Sequence, residues 1–181
     1  MITPELLDQI LPLQNSSLGF RTDRPTGYQP DVVKDCFIEA TLRGLSPIGN
    51  EFNIISGRCY VTKEGFSRLL RELPEFCDLK LFFGVPKTST GGAIVEARAT
   101  WKYRGHQDEI TREIPVRVNN GMGADAILGK TERKLKAAIY QQITGSVVSD
   151  GDAEDADAIG TTSRPSKAAE ASEALRAEAK Q

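Results

Sequence analysis

The chain holds a single histidine. His106 lies beside Gly105 in a turn-forming stretch, with no cysteine or carboxylate cluster spaced to share a ligand with it. It reads as a solvated polar residue. A histidine-based zinc site is thereby excluded, and nothing in the spacing supports a Ser-His-Asp triad. Asp108 and Glu109 form the one acidic pair that suggests a metal, but adjacent residues of a strand point to opposite faces. No D-x-D or E-x-K arrangement follows to complete a nuclease site. The run Asn119-Asn120-Gly121-Met122-Gly123 lacks the Lys-Ser/Thr ending of a P-loop and reads as a strand-to-helix connector. A phosphate docking at the helix start that follows is the one catalytic alternative, an enzyme acting on a phosphorylated substrate. Cys36, Cys59 and Cys77 are odd in number, have no C-x-x-C spacing and sit among apolar neighbours. They are expected to be buried, reduced thiols.

The residues that remain for chemistry are basic. Arg98, Lys102, Arg104 and Arg117 belong to two strand-like segments, and Lys130, Arg133, Lys134 and Lys136 belong to a helical one. Lysine and arginine neutralise phosphates without reading sequence, which makes nucleic-acid affinity salt-dependent. Trp101 and Tyr103 share a strand with these charges. They are either stacking platforms for unpaired bases or part of the core, and alternation with alanine and valine favours the core.

The elements that must carry these side chains are legible from periodicity. Residues 4–11 suggest a short helix, and residues 14–30 hold four Gly or Pro and read as loop. Asp31 can cap a helix to about residue 43, with Val33, Phe37 and Ala40 on one face and Gly44 as its stop. Segments 52–55 and 58–61 suggest a hairpin turning at Ser56-Gly57. Thr62 can cap a second helix whose Phe66, Leu69, Leu70 and Leu73 recur at helical spacing up to Pro74. Residues 93–104 alternate strictly. Ala93, Val95, Ala97, Ala99, Trp101 and Tyr103 point to a core, while Ile94, Glu96, Arg98, Thr100, Lys102 and Arg104 point outward. A turn at Gly105 leads to a return strand, 110–118, with Ile110, Ile114, Val116 and Val118 inward and Arg117 outward; residues 78–83 supply a partner strand. A last helix, 124–143, lines up Ala124, Leu128, Leu135, Ile139 and Ile143, which leaves Lys130, Arg133 and Lys134 on the opposite face with Lys136 flanking.

Charge divides along the chain. The net charge of −2 arises from residues 147–181, with four bases and eight acids, against a remainder of +2. The tail is rich in Ala, Ser, Asp and Glu, has no aromatic residue, and is expected to be disordered. No run of 18 apolar residues predicts a membrane span, and the N-terminus lacks the pattern of a signal peptide, so the expectation is a cytoplasmic protein without a membrane partner. The fold class expected is α+β, a small antiparallel meander packed by helices. Three segments follow: a helix and loop over 1–27, a core over 28–146 and an acidic tail over 147–181.

The order of segments resembles the phage single-strand annealing proteins of the RecT/Redβ type. A helix ends in Gly44-Leu45-Ser46-Pro47, a strand pair follows over 50–61, and the next helix opens with Gly65-Phe66. Then come a W-x-Y-like stretch, 99–105, and a basic helix, 129–145. The resemblance covers roughly residues 28–146. It implies a core similar to the Rad52 annealing fold, binding of single-stranded DNA, ATP-independent annealing in phage-type recombination, and homo-oligomers in the form of rings or filaments. It also implies a companion exonuclease or host single-strand-binding protein as partner, and no cofactor. Carried over to this chain, Lys130, Arg133, Lys134 and Lys136 would hold phosphates, with Arg98, Lys102, Arg104 and Arg117 as a second rank. The competing expectation is a non-catalytic phage assembly or adaptor protein that ignores DNA.

Overall fold

The computed structural model describes residues 3–119 and 121–146. These belong to the unit Met1–Ser149; the second unit, Asp150–Gln181, lies outside them, as does the segment 147–181 expected to be a disordered tail.

The first helix, α1 (Pro4–Ile10), is capped by Thr3, whose Oγ1 accepts from the Leu6 N–H, and a single 3-10 turn (Leu11–Leu13) continues it. The second, α2 (Pro30–Leu42), starts two residues earlier than a cap at Asp31 implies. Pro30, which has no N–H to satisfy, takes the first helical position, and Asp31 lies in the first turn rather than at the cap. Gly44, at φ 79°, ends it in a left-handed step that lets the Leu45 N–H reach the Ala40 carbonyl.

Strands β1 (Phe52–Ile55) and β2 (Arg58–Val61) pair antiparallel through a tight turn in which Ser56 and Gly57 both have positive φ. Two side chains from the preceding loop hold that turn. Asp23 accepts from the Ser56 N–H and the Tyr28 hydroxyl, and the Tyr28 oxygen accepts from the Gly57 N–H. Helix α3 (Lys63–Glu72) follows at once, its N-terminus capped by Thr62 Oγ1, which accepts from the Gly65 N–H. Gly65 has no substitute here, because a Cβ would stand 2.1 Å from the Glu51 carbonyl oxygen.

The larger sheet is a meander. Strand β3 (Phe76–Phe83) and the short β4 (Lys87–Ser89), absent from the sequence reading, form one interrupted edge. Strand β5 (Gly92–Tyr103) is central and β6 (His106–Arg117) pairs with it along its whole length, from Gly92↔Arg117 to Tyr103↔His106. The turn between them is Arg104-Gly105, both at positive φ, so His106 opens a strand and Arg104 is a turn residue rather than part of the sheet face. Helix α4 (Ala124–Thr144) is the last described element and ends at Gly145, φ 70°. With antiparallel sheets and four α-helices among the described residues, the fold is α+β, as expected.

Two apolar clusters result. One gathers Ile10, Phe20, Val33, Phe37, Phe52, Ile54 and Phe66, with Phe20 stacked on Phe52 at 4.9 Å, so the stretch before residue 28 contributes to the same core. The other lies between the sheet and the helices, around Val95, Ala97, Ala99, Trp101, Leu135 and Ile139. Helix α3 feeds both, with Phe66 and Leu69 on one side and Leu70 on the other, and Tyr140 of α4 touches both. Among the described residues no helix is long and apolar enough to cross a membrane.

The cysteines separate by environment. Burial pushes the Cys36 thiol up to about 11 and the Cys59 thiol up to about 12. Cys77 contradicts the expectation of burial; it is exposed, beside the register shift between Cys77 and Lys80 that kinks β3 away from its partner. Of the three thiols, Cys77 alone should react within minutes with a chromogenic disulfide at pH 8 in native protein, the other two only after denaturation. Fast release of two or three equivalents would contradict this packing.

Candidate nucleic-acid interface

The basic residues do not form one surface. Helix α4 is enclosed on two sides, and this decides the fate of its cations. One side, with Ile127, Leu135 and Ile139, meets the large sheet; another, with Ala137 and Tyr140, meets the first cluster. Arg133 points into the second of these and is only 4% exposed. Its Nε donates to the Val61 carbonyl at 2.8 Å, and its guanidinium lies 3.9 Å from the centre of the Tyr60 ring and 5.7 Å from that of Phe66. Lys136 is buried as well, donating to Ser67 Oγ at 2.7 Å and paired with Glu132. The expectation that Arg133 faces solvent opposite the apolar stripe is therefore overturned, and so is Lys136 as a flanking surface charge. Both tie α4 to the hairpin and to α3.

Lys130 and Lys134, one turn apart, take the remaining direction. They reach the free edge of β6, where Lys130 Nζ donates to the Arg117 carbonyl at 3.3 Å and Lys134 Nζ to the Pro115 carbonyl at 3.2 Å. Arg117 is exposed at the end of the same strand. These three cations thus share one border of the sheet. Arg112, which the sequence reading passed over, is exposed on the same strand, at a position paired with Ala97 on the inward side. Its signal was present as the one charge interrupting the series Ile110, Ile114, Val116.

The outward face of the sheet bears Arg98 and Lys102, as the alternation predicts, but both have acidic partners. Arg98 Nη2 is 2.8 Å from Glu109 and Lys102 Nζ is 2.7 Å from Asp78. The Lys102 hydrogen bond holds the Asp78 carboxyl below its ordinary value, and Asp78 in turn raises the Lys102 ammonium. The face carries mixed charge rather than a basic field. Arg104 stands over the Tyr103 ring at 5.1 Å in the turn. Trp101 is fully buried, so its ring is closed to a stacking base.

Elsewhere, a cleft of about 240 Å³ opens beneath the kink of β3, lined by Ser67, Leu70, Phe76, Cys77 and Lys136 among others. Among the described residues no group of three His, Cys, Asp or Glu side chains is placed to hold a metal ion. No family model, curated protein or solved structure matches this chain.

Proposed function

We propose that the chain binds single-stranded DNA and anneals complementary strands without ATP, in phage-type recombination, with Lys130, Lys134 and Arg117 as the principal phosphate contacts. The observation that carries this reading is the alignment of those three cations along the β6 border, supported by the segment order shared with annealing proteins of the RecT/Redβ type. An ammonium has three donors, and the strand carbonyl occupies one of those on Lys130, which leaves donors for a phosphate. Neutralised backbones lose their mutual repulsion, while bases that no side chain reads stay available for pairing. A Rad52-like core, assembly into rings or filaments, and a companion exonuclease or host single-strand-binding protein belong to the same proposal. Arg104 is its peripheral contact. Arg98 and Lys102 contribute less because carboxylates already hold them.

The test is annealing of two complementary fluorescent oligonucleotides without ATP or metal, comparing wild type with Lys130→Ala/Lys134→Ala/Arg117→Ala. The expected result is acceleration by wild type that the variant loses while its melting curve stays cooperative. The dependence of log affinity on log salt should become shallower by about 0.7 for each phosphate contact removed. Wild-type protein that neither binds single strands at low salt nor speeds annealing would overturn the reading. It would favour the second one, a non-catalytic assembly or adaptor protein. The observation on that side is the apolar exposure of the outer sheet face, where Phe82 is 52% and Ile94 46% exposed.

A further inference from the structure

The inner face of the large sheet is covered by α3 and α4, whereas no described element covers its outer face. Register fixes what that face displays. Reading across β6, β5 and the β3–β4 edge, one row is Pro115, Ile94, Lys87 and the next is Glu113, Glu96, Gly84. A third is Thr111, Arg98, Phe82, and a fourth Glu109, Thr100, Lys80. Two features are costly in an isolated sheet. Glu96 and Glu113 stand directly opposite each other, two like charges on neighbouring strands. Ile94 and Phe82, two large apolar side chains, lie in water at 46% and 52% exposure, flanking the glutamate row.

We propose that this face packs against the same face of a second copy of the chain, about a two-fold axis that runs across the strands between the glutamate row and the arginine row. The pattern is self-complementary under that operation. Each Glu96 meets Arg98 of the other copy, twice by symmetry, which relieves the Glu96–Glu113 repulsion. Each Phe82 lies over Gly84 of the other copy, where the absence of a side chain leaves room. Ile94 meets Thr100. Arg98 keeps its bond to Glu109 through Nη2 and has further donors to offer across the interface. Lys80 and Lys87 also meet, but at the rim, where water screens them. With strands ~4.8 Å apart and a rise of ~3.4 Å per residue, the 12-residue face spans roughly 550 Å² per copy. A pair therefore buries ~1,100 Å², just above the lower bound for a specific interface. Isologous two-fold contacts are the commonest mode of self-association. This interface does not depend on the annealing reading, since Lys130 and Lys134 stand on α4 and only Arg117, on the end row opposite Gly92, belongs to both.

Sedimentation of the full chain without DNA tests the proposal by charge exchange. Wild type without DNA should sediment as a dimer at tens of micromolar, the rings or filaments of the proposed function forming on DNA; a larger species without DNA would overturn the proposal. Glu96→Arg alone and Arg98→Glu alone should each weaken dimerisation at least ~tenfold, because each places like charges face to face. Glu96→Arg/Arg98→Glu together should restore it, which no general loss of stability would do. Phe82→Asp, at an exposed site that leaves the core intact, should also give monomer. Lys130→Ala/Lys134→Ala, which leaves the outer face untouched, should remain dimeric, so a failed annealing assay and a failed dimer are read separately. A monomeric wild type, or single exchanges that leave the mass unchanged, would overturn the proposal.

Discussion

Arg133→Ala is expected to lower the free energy of unfolding by about 3 kcal/mol, a large share of the total for a domain of this size. The side chain is 4% exposed, so water cannot take over its roles. Removing it leaves the Val61 carbonyl without its charged donor, worth about 1.5–3 kcal/mol. It also deletes a desolvated cation over the Tyr60 ring, worth about 1–2 kcal/mol. Arg133→Lys should recover only part of this, because an ammonium cannot lie flat on the ring while reaching the carbonyl. Urea titration followed by circular dichroism gives the comparison. A loss below about 1 kcal/mol for the alanine variant would mean that the guanidinium is not the strut described here. With a loss of about 3 kcal/mol, an annealing defect in Arg133→Ala would reflect unfolding, not a lost phosphate contact.

Trp101→Ala should cost about 4 kcal/mol, and Trp101→Phe far less. The indole is fully buried among Val95, Leu135 and Ile139, and truncation leaves a cavity that those neighbours cannot fill. Its Nε1 has no hydrogen-bond partner, so phenylalanine removes a buried donor that makes no bond, which offsets part of the lost packing. Trp101 is the only tryptophan, and its fluorescence reports on the site directly. Emission should be blue-shifted, poorly quenched by acrylamide, and unchanged by single-stranded DNA. Quenching by DNA under conditions that keep the protein folded would show that the ring leaves the core to stack.

The alternation over residues 93–104 made the central strand legible, because one face of β5 is covered and the other is not. Thr62 and Gly44 marked helix ends by chemistry that acts within a few residues. Long-range causes were harder to read. Asp78, at φ 57°, and the kink in β3 arise where the strand must shift register against β5, and nothing in the segment DLKLFF announces that shift. The candidate site failed at Arg133 and Lys136 for a similar reason. Hydrophobic periodicity detects a single apolar stripe, and α4 has a second buried side built from Arg133, Lys136, Ala137 and Tyr140, which score as polar or small. Lys130 and Lys134 kept their place at the surface because the apolar residues around them are spent on the other two sides. The pairing of Arg98 with Glu109 was implicit once the register was known, but register between strands is not visible in either strand alone.

The bond from Arg133 to Val61 joins residues 72 positions apart. During synthesis the β1–β2 hairpin and α2 emerge early, and the β5–β6 hairpin can close on itself as soon as its turn is out, since its contacts are local. The first apolar cluster, however, lacks Ala137, Tyr140 and the guanidinium until the final helix leaves the ribosome. A nascent chain therefore spends the time needed to make the whole meander with Phe66 and Tyr60 incompletely covered. The order of assembly is outside-in along the described chain, with the first-made half sealed by the last described element.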